Sequence, residues 1–420
     1  MPHLLDGLKP SYRRMIWTAL EHPDKLVKVA TLAGVCGGKY SPHSADSLPA
    51  VVSEMVHARI FDGQGSHGSS SIYKPWNNEA AAPRYIEAKL SKAYRSMISP
   101  LIPLVEYKES ELNSIYKEPL YIPSPVPLAM CFNARGIGVG IRALTPNFSI
   151  KSMLEAYLKD DYKLLKANGD LEIDYKDSEL KSIWEKGYGK VTYQFSLDTT
   201  AKLEGNLGVA LKGDPRFVQL VKLGKLDTKT YKSPNKEDDL GWIDKGLVTM
   251  VDQSTRGGGK VIYFGIPKKS KSKEKVTRKE LIEELSKIRV TSAKYNLAVT
   301  DGSITKVRPL KDWIDSTYKN FTGLVDSYKK SKLKKLSIKK LVALNSEAIV
   351  DEIRTTPTIS KDDIAKNLGL DLIVVEEALK KSISVLMKVN KTKELKSIRE
   401  EIKSTKLLKP SNFYEDIINR

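Results

Sequence analysis

Hydrophobic residues first gather at helical spacing between Tyr12 and Leu20, where Tyr12, Met15, Ile16, Ala19 and Leu20 share one face of a 3.6-residue period. Asp6-Gly7-Leu8-Lys9-Pro10 leads into them. Proline at a first helical position gives up nothing, because its missing N–H would be unpaired there anyway. Arg13 and Arg14 flank the apolar face and are expected to remain available to a partner. A second stripe, Leu48, Val51, Val52, Met55 and Val56, follows the segment Gly38-Lys39-Tyr40-Ser41-Pro42-His43-Ser44. Asp46 or Ser47 can cap this helix, and Pro49, tolerable only in the first turn, sets its start near Ser47. A basic turn feeding a helix N-terminus suits phosphate, since unpaired N–H groups and the helix dipole both favour anions. Helices followed by a glycine-punctuated ribbon predict a winged helix-turn-helix.

The pattern becomes β-rich from about Ile122, with Pro123, Pro125 and Pro127 punctuating the change and an apolar, flexible run at Gly136–Ile141. Tyr188–Phe195, Gly208–Leu211 and Gly259–Ile266 read as strands between Gly, Asp and Asn turns, and a Glu- and Leu-rich helix follows at Arg278–Ile288. The last part is helical. Leu310, Ile314, Phe321, Leu324 and Tyr328 recur at helical steps, and few breakers interrupt the run to about Leu344. A helix this long needs a partner, for which the lysine-rich return Val389–Lys406 is the candidate, giving a coiled coil. Ile359–Leu379 reads as a helix-turn-helix, with Ser360 as cap and Leu368-Gly369-Leu370 as the turn. It is either a structural dimer contact or a second nucleic-acid module. The expected class is α+β multidomain, with divisions at 1–121, 122–290 and 291–420.

The chain has 420 residues, with 70 Lys plus Arg against 51 Asp plus Glu, a formal charge of +19. That surplus points to a polyanionic partner, and no amphipathic basic helix argues for a membrane surface. The run KKSKSKEK at Lys268–Lys275 reads as a solvated face. Cys36 and Cys131 stand far apart in no metal spacing, which fits a reducing compartment. No apolar run reaches the ~18 residues of a membrane span, and no signal peptide is visible. The expectation is a soluble, cytoplasmic protein with no membrane partner.

The chemistry concentrates between Asp62 and Leu90, where a glycine-rich loop leads through small residues to Arg84-Tyr85. Tyrosine is a poor nucleophile at neutral pH, its reference pKa being ~10. A neighbouring guanidinium can favour the phenolate and grip a phosphate through paired N–H donors, which suggests covalent attack on a phosphodiester. Alone, the pair reads better as a buried tyrosine beside a surface arginine.

Its company decides the matter. DGLKPSYRR (Asp6–Arg14), GKYSPHS (Gly38–Ser44), DGQGSHGS (Asp62–Ser69) and AAAPRYIEAKLS (Ala80–Ser91) occur in that order. Together they resemble the DNA-breakage subunit of type IIA topoisomerases, and the short length looks most like the medium subunit of T-even-type phage enzymes. GIGVGI at Gly136–Ile141, GYGKV at Gly187–Val191 and FGIP at Phe264–Pro267 extend the resemblance. It is strong over residues 6–150 and architectural beyond.

The resemblance implies a winged-helix breakage domain, a β-rich tower, and a coiled coil ending in a dimer gate. It implies that Tyr85 becomes linked to a DNA 5′-phosphate while Arg84 sits beside the scissile group. His43 is either an acid–base group or a plain phosphate contact. Lys9, Arg13, Arg14, Lys39, Ser41, Gln64, Ser66, Ser69, Leu144 and Thr145 are placed along double-stranded DNA. Thr145 stands where relatives carry a wedging isoleucine, so Leu144 is either the replacement wedge or core. Ser41 replaces a second family histidine, and Ser44-Ala45 replaces the usual Gly-Asp. The sequence shows no DxD cluster in a Toprim-like region and no Gly-rich ATP-binding fingerprint. Mg²⁺ and ATP are therefore expected on a partner ATPase/Toprim subunit, with this chain a homodimer inside the assembly. No DNA-wrapping module is expected, so relaxation or decatenation is the anticipated task rather than negative supercoiling. The alternatives are a non-catalytic winged-helix DNA-binding protein and a nuclease that never reseals.

Overall fold

The computed structural model describes residues 1–42, 45–68, 80–131, 134–167, 171–203, 206–212, 241–252, 261–267, 274–288, 290–388 and 391–419. They form two compact units, Met1–Asn320 with Asp416–Arg420, and Phe321–Glu415. The expected divisions after 121 and 290 both fall inside the first unit.

The first unit begins with α1 (Pro10–Glu21), β1 (Val27–Lys28), α2 (Val29–Lys39), α3 (Leu48–His57), β2 (Phe61–Gln64), β3 (Glu87–Leu90) and α4 (Lys92–Ile98). The first three helices pack on one another, burying Met15 and Ile16 of α1, Leu32 of α2 and Leu48 of α3. An antiparallel sheet in the order β1-β3-β2 lies against them, with Gln64 opposite Glu87 and Phe61 opposite Leu90. A hairpin of β4 (Tyr107–Glu109) and β5 (Lys117–Pro119) follows.

α1 starts at the anticipated proline and α3 at Leu48, one residue past the anticipated cap. α2 is not evident from the pattern. Gly34, Gly37 and Gly38 lower its intrinsic helicity, since glycine costs roughly 1 kcal/mol against alanine. Burial of Val29, Leu32, Ala33 and Cys36, spaced as a helical stripe, overrides that propensity.

Arg13 and Arg14 overturn the expectation that they stay available. Arg13 donates through Nε to Asp6 Oδ2 at 2.8 Å, and Arg14 donates through Nε to Glu118 Oε2 at 2.7 Å. Both arginines and both acids are buried. The edges of a helical stripe look solvent-facing in sequence. Here one edge meets an acid in the preceding turn and the other an acid 104 residues away.

Next come β6 (Arg135–Gly138), β7 (Ile141–Leu144), α5 (Ile150–Lys159), β8 (Leu171–Ile173), α6 (Leu180–Lys186) and β9 (Tyr188–Asp198). β10 (Lys202–Leu203), β11 (Asn206–Leu207), β12 (Val209–Lys212), β13 (Thr249–Asp252), β14 (Val261–Gly265), α7 (Arg278–Ile288), β15 (Val290–Asn296), β16 (Ala298–Thr300) and β17 (Thr305–Val307) complete the unit's strands. An eight-stranded antiparallel sheet runs β13-β14-β12-β9-β15-β7-β6, with β8 also paired to β9. The three strands expected from pattern alone are β9, β12 and β14, and α7 spans the expected Arg278–Ile288. The flexible Gly136–Ile141 run is a tight hairpin.

In the second unit α8 (Leu310–Thr355, entering from the first), α9 (Lys361–Leu368), α10 (Leu372–Leu379), α11 (Ile383–Lys388), α12 (Lys391–Lys406) and the start of α13 (Ser411–Ile418) assemble. Lys332 pairs with Glu401 and Lys391 with Glu347, so α12 runs antiparallel beside α8. Ser360 caps α9 by accepting from Asp363 N, and Gly369 ends it at φ 61°, as its sequence suggests. Val342, Ile349, Ile364, Val374 and Leu386 form that lobe's core.

Asp6→Asn is expected to destabilise the first unit by about 3 kcal/mol, because it leaves the buried Arg13 guanidinium without its counter-charge. Chemical unfolding monitored by circular dichroism reads this; a loss under about 1 kcal/mol would contradict the assigned role.

Candidate active site

Tyr85 sits in a turn immediately before β3 with its side chain 65% exposed. Its backbone N–H donates to Ala82 O at 2.8 Å, closing the turn. The turn is fixed from three sides. Val29 N–H donates to Ile86 O at 3.0 Å and Ala30 N–H to Pro83 O at 3.1 Å. The first N–H groups of α2, which have no partner inside the helix, are thus satisfied by the segment bearing the Arg-Tyr pair. From the other side Ala81 N–H donates to Ser66 O at 2.9 Å. Beneath lies Gly65 at φ +91°, where a Cβ would meet Ile86 Cγ2 at 2.7 Å, so only glycine lets the ribbon pass so close to the turn.

The exposed Arg84 guanidinium carbon lies 4.5 Å from the centroid of the Tyr85 ring. A cation over the ring stabilises developing negative charge on the phenol and leaves N–H donors at its rim for an anion. Gln64, opposite Glu87, and Ser66 are exposed on the same ribbon.

His67, by contrast, is buried and structural in position. Its Nε2 lies 3.1 Å from Glu87 O and its Nδ1 3.3 Å from Ser53 Oγ, while His57 Nε2 approaches His67 O at 3.1 Å. These contacts tie β2, β3 and α3 together just past Tyr85. The Glu87 carboxylate is held by Lys28 at 2.7 Å.

Other site candidates take varied positions. Lys9 is half-buried with Nζ 4.9 Å from the Tyr12 ring centroid, and burial lowers its pKa. The Tyr12 hydroxyl donates to Glu54. Lys39 pairs with Glu21 at 3.2 Å and lies over the Tyr116 ring at 5.3 Å. Ser41 is buried at the end of α2. His43 and Ser69 lie outside the described residues.

Thr145 is corrected as a DNA contact. It is fully buried, its Oγ1 donating to Ala129 O and accepting from Ala134 N, each at 2.8 Å. Leu144 is half-buried opposite Arg135. The tip of the same hairpin is the feature that sequence reasoning misses. Ile137 is 87% exposed and Val139 is exposed in full, with the exposed Arg135 and Arg142 on the flanking strands. The signal is the alternation Gly-Ile-Gly-Val-Gly, whose apolar side would ordinarily face inward and here faces solvent.

Among the described residues no group of three or more His, Cys, Asp or Glu side chains gathers where it could hold a metal. No helix among them is long and apolar enough to cross a membrane. The two thiols do not compete with Tyr85 as nucleophiles. Both are buried, which pushes Cys36 up to about 11 and Cys131 up to about 12.

An exposed tyrosine with an arginine over its ring thus sits on a turn braced between a helix start and a β-ribbon. The chain belongs to the family of the DNA gyrase/topoisomerase IV A subunits, whose model matches residues 1–419. It is 24% identical to the DNA gyrase A subunit of Borrelia hermsii, covering all of this chain and 52% of the relative. It is 25% identical to the DNA topoisomerase 4 A subunit of Neisseria gonorrhoeae over 56% of this chain and 33% of the relative. A 157-residue stretch is 34% identical to the DNA topoisomerase 2 of Crithidia fasciculata, covering 35% of this chain and 12% of that protein. The chain thus spans about half the length, or less, of these relatives.

Because both thiols hold their protons more tightly folded than unfolded, their contribution to stability is complete below the usual thiol range. It declines as pH rises from that range through the raised values of about 11 for Cys36 and about 12 for Cys131. Native protein at pH 8 is therefore expected to take up no iodoacetamide in an hour, and urea-unfolded protein to take up two equivalents, by intact mass. Rapid native labelling would refute the buried assignment.

Proposed function

We propose that this chain is the DNA-cleaving and rejoining subunit of a type IIA topoisomerase, with Tyr85 as nucleophile. The observation that carries this reading is the exposed Arg84-Tyr85 stack on its braced turn, in a chain of the gyrase/topoisomerase IV A-subunit family. Three helices backed by a β-ribbon suit a winged-helix module that lays this turn against duplex DNA.

In the proposed reaction Tyr85 Oη attacks the phosphorus, forming an O–P bond as the P–O3′ bond breaks. The phenolic proton is removed, and the departing 3′ oxygen takes up a proton as a hydroxyl. The 5′ end is left on the tyrosine, and reversal reseals the strand. A phenol of pKa ~10 is only about 0.1% ionised at pH 7, so bringing it to 7 is worth roughly 4 kcal/mol. Arg84 supplies part of this by facing the charge that grows on the phosphoryl oxygens. Mg²⁺ would supply Lewis-acid chemistry from a carboxylate cluster on a partner ATPase/Toprim subunit, which would also bind ATP. Tyr85, Arg84, Lys9, Gln64 and Ser66 would hold and orient the duplex, with His43 and Ser69 as further contacts.

Two copies of the chain would break the two strands. Ile373, Leu379, Ile383, Val385 and Met387 of the α10–α11 lobe are exposed apolar side chains that a homodimer contact would cover. In this reading the wedge lies at the β6–β7 tip rather than at Leu144: Ile137 and Val139 expose apolar side chains near Arg135 and Arg142, a combination that can unstack and bend a duplex step. A phage-type assembly remains part of the proposal, as do relaxation or decatenation as its task and a bacterial cytoplasmic setting.

With the partner subunit, Mg²⁺ and supercoiled plasmid, a detergent trap is expected to capture a protein–DNA adduct that Tyr85→Phe abolishes. Arg84→Ala is expected to lower the cleavage rate about 10²- to 10³-fold. An equal adduct from Tyr85→Phe would sink the nucleophile assignment, and DNA bound without any adduct would favour a non-catalytic binding protein. Breaks that persist after Mg²⁺ is chelated would favour a nuclease. Separately, Ile137→Ala with Val139→Ala is expected to reduce duplex bending, read by energy transfer between end labels. Leu144→Ala should leave it unchanged.

A further inference from the structure

The second unit divides sharply by charge. Its stem, residues 326–340 with 391–415, carries fourteen Lys and Arg against five Asp and Glu, whereas the lobe between, residues 341–388, carries six against eight. Within α8, seven lysines fall between Lys329 and Lys340, and no acid occurs between Asp326 and Glu347. Lys330 and Lys334, and Lys335 and Lys339, are like-charged pairs one turn apart. Such pairs destabilise a helix, where alternating Glu and Lys would stabilise it.

The returning helix adds to the repulsion. Arg399 and Lys403 repeat the one-turn spacing on α12, and both are exposed, as are Lys330, Lys334, Lys335 and Lys339. Across the stem, Glu401 is engaged by Lys332 at 3.4 Å, and Lys329 reaches the Leu408 carbonyl at 3.4 Å. A surface that serves only solubility intersperses both signs. This one concentrates a single sign along a rigid rod. Over Lys330–Lys339 the rod is about 14 Å long at ~1.5 Å per residue, enough to lie along several duplex phosphates.

We infer that the α8–α12 stem is a second binding surface for duplex DNA, separate from the Tyr85 turn, which grips the phosphate backbone without reading sequence. The charge pattern stands by itself. The choice of DNA as the polyanion rests on the function proposed above.

The test uses the full chain. Wild-type protein is acetylated with a limiting lysine reagent, with and without excess duplex of about 40 base pairs, and the sites are read by mass spectrometry. Protection of Lys330, Lys334, Lys335 and Lys339 is expected, and no protection would overturn the inference. In parallel, Lys330→Gln, Lys334→Gln, Lys335→Gln and Lys339→Gln are combined. The slope of log affinity against log salt is expected to fall by about 3.6, at ~0.9 per phosphate contact. An unchanged slope, or lysines protected by phosphatidylserine vesicles and not by duplex, would also overturn it. The quadruple variant is expected to keep the adduct yield of wild type on a short duplex. With the partner subunit and Mg²⁺ present, a wild-type chain that forms no adduct yet shows the lysine footprint would refute the Tyr85 reading while leaving the stem surface standing.

Discussion

One buried carboxylate ties the first unit together. Asp6 is fully buried, and its two oxygens accept from Leu8 N at 2.8 Å, Ile122 N at 3.0 Å and Arg13 Nε at 2.8 Å, with Arg13 Nη2 at 3.2 Å. An ionised carboxylate without partners in such a place would be strongly disfavoured, so these donors stand or fall together. Through them Asp6 joins the N-terminal turn, α1 and the chain entering the large sheet. Gly7 completes the joint: at φ +72°, a Cβ there would lie 2.9 Å from the backbone of Pro127, Leu128 and Ala129. From this joint the dependence runs outward. Asp6 orients α1, α1 packs on α2, and the first turn of α2 holds the carbonyls of Pro83 and Ile86 on either side of Tyr85.

Much of this is legible in the sequence because local rules and tertiary demands agree. Pro10, the spacing of Met15, Ile16 and Ala19, the Ser360 cap and the Gly369 turn each act over one or two turns of chain, and each appears where pattern places it. Where pattern misleads, the cause is action at long range. Nothing near Arg14 announces Glu118, and nothing near Thr145 announces that Ala129 and Ala134 need its hydroxyl. The glycines of α2 lower local propensity, and only packing against α1 and α3 restores the helix. The Ile137–Val139 tip reverses the usual sense of alternation. Periodicity reports that a strand has an apolar side; it does not report whether protein or solvent lies on that side.

The formal charge of +19 is therefore not one quantity. Part of it is internal: Arg13 and Arg14 are structural cations that would be lost to any ligand, and Lys28 and Lys39 are engaged with Glu87 and Glu21. Another part sits on the helical stem with few acids to neutralise it. Counting basic residues in a motif overestimates what touches phosphate. Burial and pairing separate the cations that shape the site from those that can face a ligand.

The Tyr85 turn shows the same separation at the scale of the chemistry. The side chain is exposed with a guanidinium over its ring, while Glu87, two residues on, is engaged by Lys28, and elsewhere in the unit Glu54 takes the Tyr12 hydroxyl and Asp24 pairs with Lys89. On the proposed reading, such a tyrosine would lie against DNA without breaking it until the partner's groups arrive. That arrangement suits an activity whose proposed nucleophile and proposed metal lie on different chains, because assembly then becomes the condition for cleavage. On that reading the cation over the ring would lower the remaining barrier without removing it, and the braced backbone would keep the hydroxyl in position for the approach.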